Sequence, residues 1–301
     1  MSRPLTSIEP YGSGNGIIIR AQTVLSPDTL DKDVLLKQLS ETGFILFRGF
    51  DVNLDGFSRL VQKLSTRVTL DPARTFHGQG DVAQKVDAGV DPVGLHCENG
   101  NSPFMPHLCW FYCQQAAAHG SQTTVCDGYR AWDALSESTQ QTFLAQDIVY
   151  TRHVEEDKWK RFVARMQHDS KPLDTITIDD LRQLANDPVN TTITQSEDGA
   201  IRYAFRVAAV HPTLFGSRLA FAHSILGPSY NYEKPVITFA DGTPLSPALL
   251  REIDDACEQV TENIEWQQGD IVLIDNTRVM HGRRAIQDPE RTIFNALSYI
   301  H

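Results

Sequence analysis

The chain has 301 residues, 41% of them apolar, and its Lys+Arg 27 against Asp+Glu 38 give a formal net charge of −11. That balance argues against non-specific binding to nucleic acid or to an anionic membrane surface, which need clustered positive charge. No apolar run approaches the ~18 residues of a membrane span, and Met1-Ser2-Arg3-Pro4 opens no signal-peptide core, so the expected setting is the cytoplasm.

From the N-terminus, residues 31–42 carry Leu35 and Leu39 one turn apart and stop at Gly43, which predicts a helix closed by glycine. Residues 44–47 are all apolar and predict a buried strand. Over 54–64, Phe57, Leu60, Val61 and Leu64 recur on one helical face. Residues 69–91 are irregular, with Gly78, Gly80 and Gly89, and read as a loop at the mouth of a site. Strand-like runs follow at 95–98, 108–113 and 123–127, and a helix opens over 129–135. The charged stretch 158–186 contains a predicted helix at 179–184, and 155–235 reads as an insertion, a lid, within a single 1–301 domain. Ser246-Pro247 opens the last strong helix, with serine as N-cap and proline at the first position; Leu250, Ile253, Cys257 and Val260 form its apolar face. Gln268-Gly269-Asp270 is a turn between two strands. Short strands with helices early and late predict a mainly β fold with helices outside, a double-stranded β-helix (jelly-roll, cupin-like). Five cysteines without C-x-x-C spacing imply neither disulfides nor a zinc ribbon, and read as reduced, packed hydrophobes.

The chemistry concentrates in two places: His96-Cys97-Glu98, and the run from Trp266 through Asp275-Asn276-Thr277-Arg278 to His281-Gly282-Arg283, with Arg291 beyond. Two histidines and one carboxylate are the minimal ligand set for a non-haem iron(II) site with open coordination positions. On a strand, residues i and i+2 share a face, so His96 and Glu98 point together and Cys97 away. His281, from a distant segment, would complete the set. The tripeptide alone recurs by chance; its combination with the 266–283 run is what makes it specific. Two histidines and a carboxylate would also serve a zinc-binding hydrolase, and a non-catalytic cupin-like protein could keep the fold.

Those residues carry a resemblance to the taurine dioxygenase family of iron(II)/2-oxoglutarate-dependent oxygenases, and within it to the branch with glutamate in place of the usual aspartate, which includes clavaminate synthase and the aspartyl hydroxylase of the syringomycin pathway. It runs from Gly43-Phe44-Ile45-Leu46-Phe47-Arg48-Gly49-Phe50 to the C-terminus, takes in Phe111-Tyr112-Cys113, Gly120-Ser121-Gln122-Thr123 and the 266–283 run, and is loose over 155–235. The resemblance implies a dioxygenase with Fe(II), 2-oxoglutarate and O2 as cofactors and His96, Glu98 and His281 as the metal ligands. It gives Arg291 the distal carboxylate of 2-oxoglutarate, which a guanidinium can bind through two parallel hydrogen bonds. Arg291 lies ten residues after His281, a span that a hairpin can return to the metal. Thr123 matches a threonine that bonds the same carboxylate; Thr124 would face away. Arg283 and Arg284 are rivals for Arg291. Taurine dioxygenase has a second arginine where this chain has Asn295, so a secondary carboxylate contact is absent here or supplied elsewhere. Halogenases of the superfamily lack the carboxylate ligand, so Glu98 disfavours halogenation; hydroxylation of an unactivated C–H bond is the expected reaction.

The same resemblance points to specialised metabolism such as antibiotic biosynthesis, with an amino-acid-like substrate, free or tethered to a carrier protein. The acidic surface disfavours an acidic carrier. Candidate substrate contacts are Arg74 and His77 before the metal strand, Asn99 and Asn101 after it, and Arg206 and His223 in the region expected to fold over the site. A taurine-type sulfonate dioxygenase is the alternative, and it would need a cationic sulfonate pocket that the sequence does not reveal. Composition carries no signal for oligomeric state.

Overall fold

The apolar runs at 44–47 and 108–113 divide between the two opposed faces of one sheet. The computed structural model describes residues 5–14, 16–71, 74–86, 89–167, 169–228 and 233–300. A nine-stranded sheet runs in the order Thr6–Tyr11, Gly16–Ala21, Phe44–Arg48, Ile271–Asp275, Leu108–Gln115, Thr292–Tyr299, Ala83–Lys85, Phe76–His77, with Arg67–Thr69 also paired to Thr292–Tyr299. Its pairings are antiparallel except Gly16–Ala21 with Phe44–Arg48. A four-stranded sheet opposes it, in the order Thr261–Ile264, Thr123–Asp127, Val279–Arg283, Val93–His96.

Successive residues of a strand point to opposite faces, and here both faces are covered. Phe44, Leu46, Cys109, Phe111, Val272 and Ile274 point inward, where they meet Val125, Ile264 and Val279 of the smaller sheet. Ile45, Phe47, Trp110, Tyr112, Ile271 and Leu273 point outward, where two helices cover them. That double burial is why these strands read as unbroken apolar runs. The two helices are Lys32–Thr42 and Leu54–Leu64, N-capped by Asp31 (accepting from Val34 N) and Asn53 (accepting from Gly56 N). This is the expected double-stranded β-helix with helices outside.

The outer face of the smaller sheet is closed by helix Pro247–Val260 and by a further sheet. Ser246 caps that helix by accepting from Leu249 N, as its Ser-Pro opening predicts; Ile253 and Cys257 are buried, while Leu250 and Val260 lie only partly so. The further sheet orders Thr191–Gln195, Ile201–Val207, Ile148–Val154 and Val236–Phe239. The stretch 155–235 thus supplies two adjacent strands of this sheet, Thr191–Gln195 and Ile201–Val207; the other two flank the stretch in sequence. Helices Glu156–Met166 and Ile178–Ala185 pack there around Trp159, Val163, Leu181 and Ile201.

Three local expectations change. Residues 69–91 are not wholly irregular: Phe76–His77 and Ala83–Lys85 extend the large sheet. A helix at Glu137–Ala145, capped by Ser136, follows the expected one, which spans Gly128–Ala134. The 281–291 connection is not a hairpin: Val279–Arg283 belongs to the small sheet and Thr292–Tyr299 to the large one, so the chain crosses between the layers. All five cysteines are free and buried, and no helix among the described residues is long and apolar enough to cross a membrane.

Candidate active site

The site lies between the two sheets, where Val93–His96 runs antiparallel to Val279–Arg283 and His96 stands directly opposite His281. Cross-strand partners on one face lie ~5 Å apart, which brings the imidazoles together across 185 residues of sequence (281 − 96 = 185); their ring centroids are 4.4 Å apart. The strands can approach because Gly282 lacks a side chain: a Cβ there would stand 2.5 Å from the Val93 carbonyl and 2.8 Å from Thr124 Oγ1.

The strand ends at His96, so Glu98 is not placed by alternation alone. Asn276 holds it. The Asn276 Oδ1 accepts from Glu98 N at 2.8 Å, and its Nδ2 donates to the carbonyls of Glu98 (3.0 Å) and Pro106 (2.9 Å). Asn276 is held in turn by its own tight turn, where Asp275 Oδ1 accepts from Thr277 N (2.9 Å) and Thr277 Oγ1 (2.6 Å), and by Arg278, which forks onto Asp127 at 3.0 and 2.7 Å. The Asp-Asn-Thr-Arg run is therefore scaffold for Glu98 rather than chemistry.

The result is three donor atoms within 4.8 Å of one another, on His96, Glu98 and His281. Glu98 Oε2 lies 3.3 Å from His281 Nε2 and 3.8 Å from His96 Nε2. His96 Nδ1 is 2.9 Å from the Gly94 carbonyl; a carbonyl only accepts, so Nδ1 carries the proton and Nε2 keeps a lone pair for a metal. Burial, helped by the neighbouring His96, pulls His281 down to about 4, which leaves it neutral at physiological pH. Burial opposes ionisation of Glu98, but the facing rings of His281 and His96 and the charge of Arg74 outweigh it and hold the carboxyl well below its ordinary range. Two imidazole nitrogens and an ionised carboxylate facing one point suit a divalent cation.

Two cavities meet at this triad. The smaller, about 80 Å³, runs past His281 and Phe111 to Thr123, Arg283 and Arg291. Arg291 donates to the Ser121 carbonyl at 2.9 Å and has no ion pair among the described residues. Its neighbours Asp288 and Glu290, which could have claimed it, are not its partners: Asp288 bonds the backbone of Ala118 and Glu290. Burial and the nearby Arg283 draw Arg291 down to about 10, the mark of a crowded cationic end that an anion would relieve. Thr123 Oγ1 accepts from Trp266 Nε1 at 3.1 Å, which leaves its own proton for a ligand. A chelating group at the triad and a carboxylate at Arg291 and Thr123 fit the two ends of a short dicarboxylate such as 2-oxoglutarate. Arg284, the rival, points elsewhere and pairs with Glu258 at 2.6 Å; Arg283 is the arginine that shares the cavity, donating to the carbonyls of Gly89 and Asp91. Asn295 points its amide into the same interior, fully buried and with neither polar atom bonded.

The larger cavity, about 690 Å³, opens on the other side of His96 and Glu98. Of the expected substrate contacts, Arg74, Asn99 and Asn101 line it. Three others do not reach either cavity. His77 is exposed, with its ring against the edge of Phe294. Arg206 faces solvent and pairs with Asp147 at 2.7 Å. His223 is buried against Phe221, accepts from Ile225 N at 3.0 Å, and braces the metal segment only through its carbonyl, which accepts from Cys97 N; burial pushes its ring down to about 3. The side chains that line the cavity instead include Arg152, Trp159, Phe162 and Tyr203. Nothing in their local sequence marks them, since strand and helix residues there pack like ordinary amphipathic ones.

Comparison with known proteins agrees with this geometry. Residues 3–297 match the model of the taurine catabolism dioxygenase TauD, TfdA family, and the chain belongs to that family. It is 22% identical over 286 residues to a clavaminate synthase-like protein of Arabidopsis thaliana, covering 87% of this chain and 83% of that one. It is 27% identical over 286 residues to the dapdiamide synthesis protein DdaC of Enterobacter agglomerans, covering 86% and 83%. Among solved structures, PvcB of Pseudomonas aeruginosa superposes with a TM-score of 0.64 at 15% identity over 100% of this chain and 93% of that one; another PvcB structure is described as an Fe, alpha-ketoglutarate dependent oxygenase from an isonitrile synthetic pathway. AAD-2, solved with Mn(II) and N-oxalylglycine, superposes with a TM-score of 0.58 at 14% identity, covering 97% and 96%. The protein is an iron/2-oxoglutarate-dependent oxygenase, with Fe(II) and 2-oxoglutarate as its cofactors.

Proposed function

We propose that the enzyme oxidises an unactivated C–H bond, by hydroxylation, in an amino-acid-like substrate of specialised metabolism. The observation that carries this reading is the 690 Å³ cavity joined to the triad. It lies in the range of roughly 300–1,000 Å³ that holds drug-sized ligands, and a two-carbon sulfonate would leave most of it unfilled. Relatives named for dapdiamide synthesis and for clavaminate synthase support a biosynthetic role over sulfonate scavenging.

In this reading His96, Glu98 and His281 hold the iron, and Arg291 with Thr123 holds the distal carboxylate of 2-oxoglutarate. Bound there, the pair supplies an oxidant strong enough to attack an aliphatic C–H bond, at the expense of 2-oxoglutarate and O2, with succinate and CO2 released. The chain's own residues do the rest. Asn276 keeps the Glu98 carboxylate turned to the metal. The Gly94 carbonyl keeps His96 in the ligating tautomer. Arg291 and Thr123 orient the co-substrate from its far end. Glu98 supplies a protein ligand where a halide would otherwise bind, which favours an oxygenated product. Helices Glu156–Met166 and Ile178–Ala185 contribute Phe162 and Leu181 to the cavity wall and serve as its lid.

The test is succinate formation from 2-oxoglutarate with Fe(II) and ascorbate, across a panel of amino acids, short peptides and aminoacyl carrier proteins. Wild type should release succinate faster with at least one panel member, and the organic product should gain one oxygen by mass. His281→Ala should release none. Stimulation by taurine alone would replace this reading with the sulfonate one.

A further inference from the structure

The walls of the large cavity contain five cationic side chains among the described residues: Arg74, Arg152, Lys158, Arg161 and Arg165. Four are in ion pairs. Arg74 meets Asp71 at 3.2 Å, Lys158 meets Glu233, Arg161 meets Asp157 at 3.4 Å, and Arg165 meets Asp169 at 3.9 Å. Arg152 has no carboxylate partner among the described residues. Its guanidinium donates to the Pro228 carbonyl at 2.9 Å and to the Tyr203 hydroxyl at 3.2 Å, and its Nε is buried with no acceptor. Glu233 feels the charge of Arg152, but Lys158 is the group it bonds.

An arginine cannot shed its proton to escape a dry site, and a charge withdrawn from water without a partner is costly. An unpaired guanidinium on a cavity wall is therefore arranged for an anion that arrives. Tyr203 adds a second donor: it accepts from Arg152, and burial raises its hydroxyl so that it stays protonated, with that proton free for the same anion. The position is close to the His96 end of the triad. Residues 227–228 pass hard against the metal strand, since a Cβ on Gly227 would stand 2.2 Å from the Gly94 carbonyl and 3.2 Å from His96 Nδ1. The Pro228 carbonyl that holds Arg152 is also bonded by Asn101, three residues past Glu98. The same wall also carries large apolar side chains, Trp159, Phe162, Leu181 and Ile193, beside cations already held in ion pairs.

We propose that Arg152, with Tyr203, anchors a free carboxylate of the substrate beside the iron, and that the substrate is an amphipathic acid of about dipeptide size whose apolar body fills the rest of the cavity. This rests on the oxygenase reading and sharpens it: a substrate joined to a carrier through that same carboxyl has no anion to offer Arg152, so the free acid is the form bound.

The test uses the Mn(II)- and 2-oxoglutarate-loaded enzyme and calorimetric binding of matched pairs: N-acetylphenylalanine, alanylphenylalanine and alanylleucine, each against its C-terminal amide, with taurine as a further ligand. In wild type at least one acid should bind roughly tenfold or more tightly than its amide, the scale of one charge-assisted contact. Arg152→Met should bring that ratio close to one. Arg152→Lys, which keeps the charge without the fork, and Tyr203→Phe should each lower it in part, and both carry the comparison if Arg152→Met does not fold. Equal binding of acids and amides to wild type, an acid preference that survives loss of the guanidinium, or taurine binding more tightly than every acid would overturn the proposal. Failure of the oxygenase reading looks different: the wild type would then convert no 2-oxoglutarate to succinate with Fe(II), whatever its ligand preference.

Discussion

Arg291 and Thr123 share the small cavity but offer different chemistry. In the proposed role the arginine would contribute a charged, two-pronged contact worth about 1.5–3 kcal/mol, the threonine a neutral one worth about 0.5–1.5 kcal/mol. Arg291→Ala should therefore raise the 2-oxoglutarate concentration needed for half-maximal turnover roughly ten- to a hundredfold, and Thr123→Ala only a few-fold. Titrating succinate formation against 2-oxoglutarate in both variants checks the order. An unchanged requirement in Arg291→Ala would shift the role to Arg283, which lines the same cavity, and not to Arg284, which is held by Glu258 outside it. These assignments show what a residue pattern can and cannot carry. The types and order of His96, Glu98, His281, Thr123 and Arg291 mark chemistry because few structural roles demand that set. Arg152 and Tyr203 escape notice because an arginine and a tyrosine on a strand are usually surface and core, and only the absence of a counter-ion among the described residues, a tertiary fact, distinguishes them here.

Between elements, the junction that matters joins the end of Val93–His96 to the turn after Ile271–Asp275. Asn276 makes three hydrogen bonds across it and is fully buried. Replacing it with alanine strands the Glu98 amide and the carbonyls of Glu98 and Pro106 without partners, at a cost of about 1–3 kcal/mol for each group that water cannot reach. Asn276→Ala should lower stability by about 2–4 kcal/mol and weaken iron binding as well, because Glu98 loses its orientation. Asn276→Asp, which keeps the acceptor for Glu98 N but not the donor, should fall between. Denaturant unfolding and iron titration of the two variants measure the two effects separately; an alanine variant with native stability and native iron affinity would falsify the clamp. The same scale explains two departures from expectation. Phe76–His77 and Ala83–Lys85 are too short to announce themselves; Ala83–Lys85 becomes a strand because Thr292–Tyr299 offers an edge to pair with, and Phe76–His77 pairs in turn with Ala83–Lys85. The 283–292 connection cannot be told from a hairpin by length, since a span of that size serves a layer crossing equally well.

For the whole molecule, the proposed metal and co-substrate sites lie between the two sheets, lined by residues from strands far apart in the chain. Ligands that bind the folded state alone stabilise it by mass action, about 2.7 kcal/mol at a hundredfold excess over Kd. For a chain of this size each kcal/mol is worth roughly 2–4 °C. Mn(II) with 2-oxoglutarate should raise the melting midpoint by several degrees, EDTA should reverse the gain, and His96→Ala should show neither effect. A midpoint indifferent to metal and chelator in wild type would remove the triad as the metal site.

What the sequence by itself determined was local and chemical. Apolar periodicity, capping residues and glycine stops specified helices at Lys32–Thr42, Leu54–Leu64 and Pro247–Val260 and the doubly buried strands, because those signals act over a few residues. The H-x-E and distal histidine named the metal chemistry because coordination needs those donors whatever the fold. The tertiary structure alone decided which distant residues stand opposite: His96 against His281 by strand register, Glu98 fixed by Asn276, Arg291 brought to the cavity beside the triad by a crossing between sheets, and Arg152 left without an acid partner among the described residues. It also withdrew His77, Arg206 and His223 from the site. The reason is physical. A side chain's type and its neighbours in sequence fix its local conformation, but whether it meets a metal, a counter-ion or solvent depends on pairings made across the whole chain, and those are settled only when the sheets close.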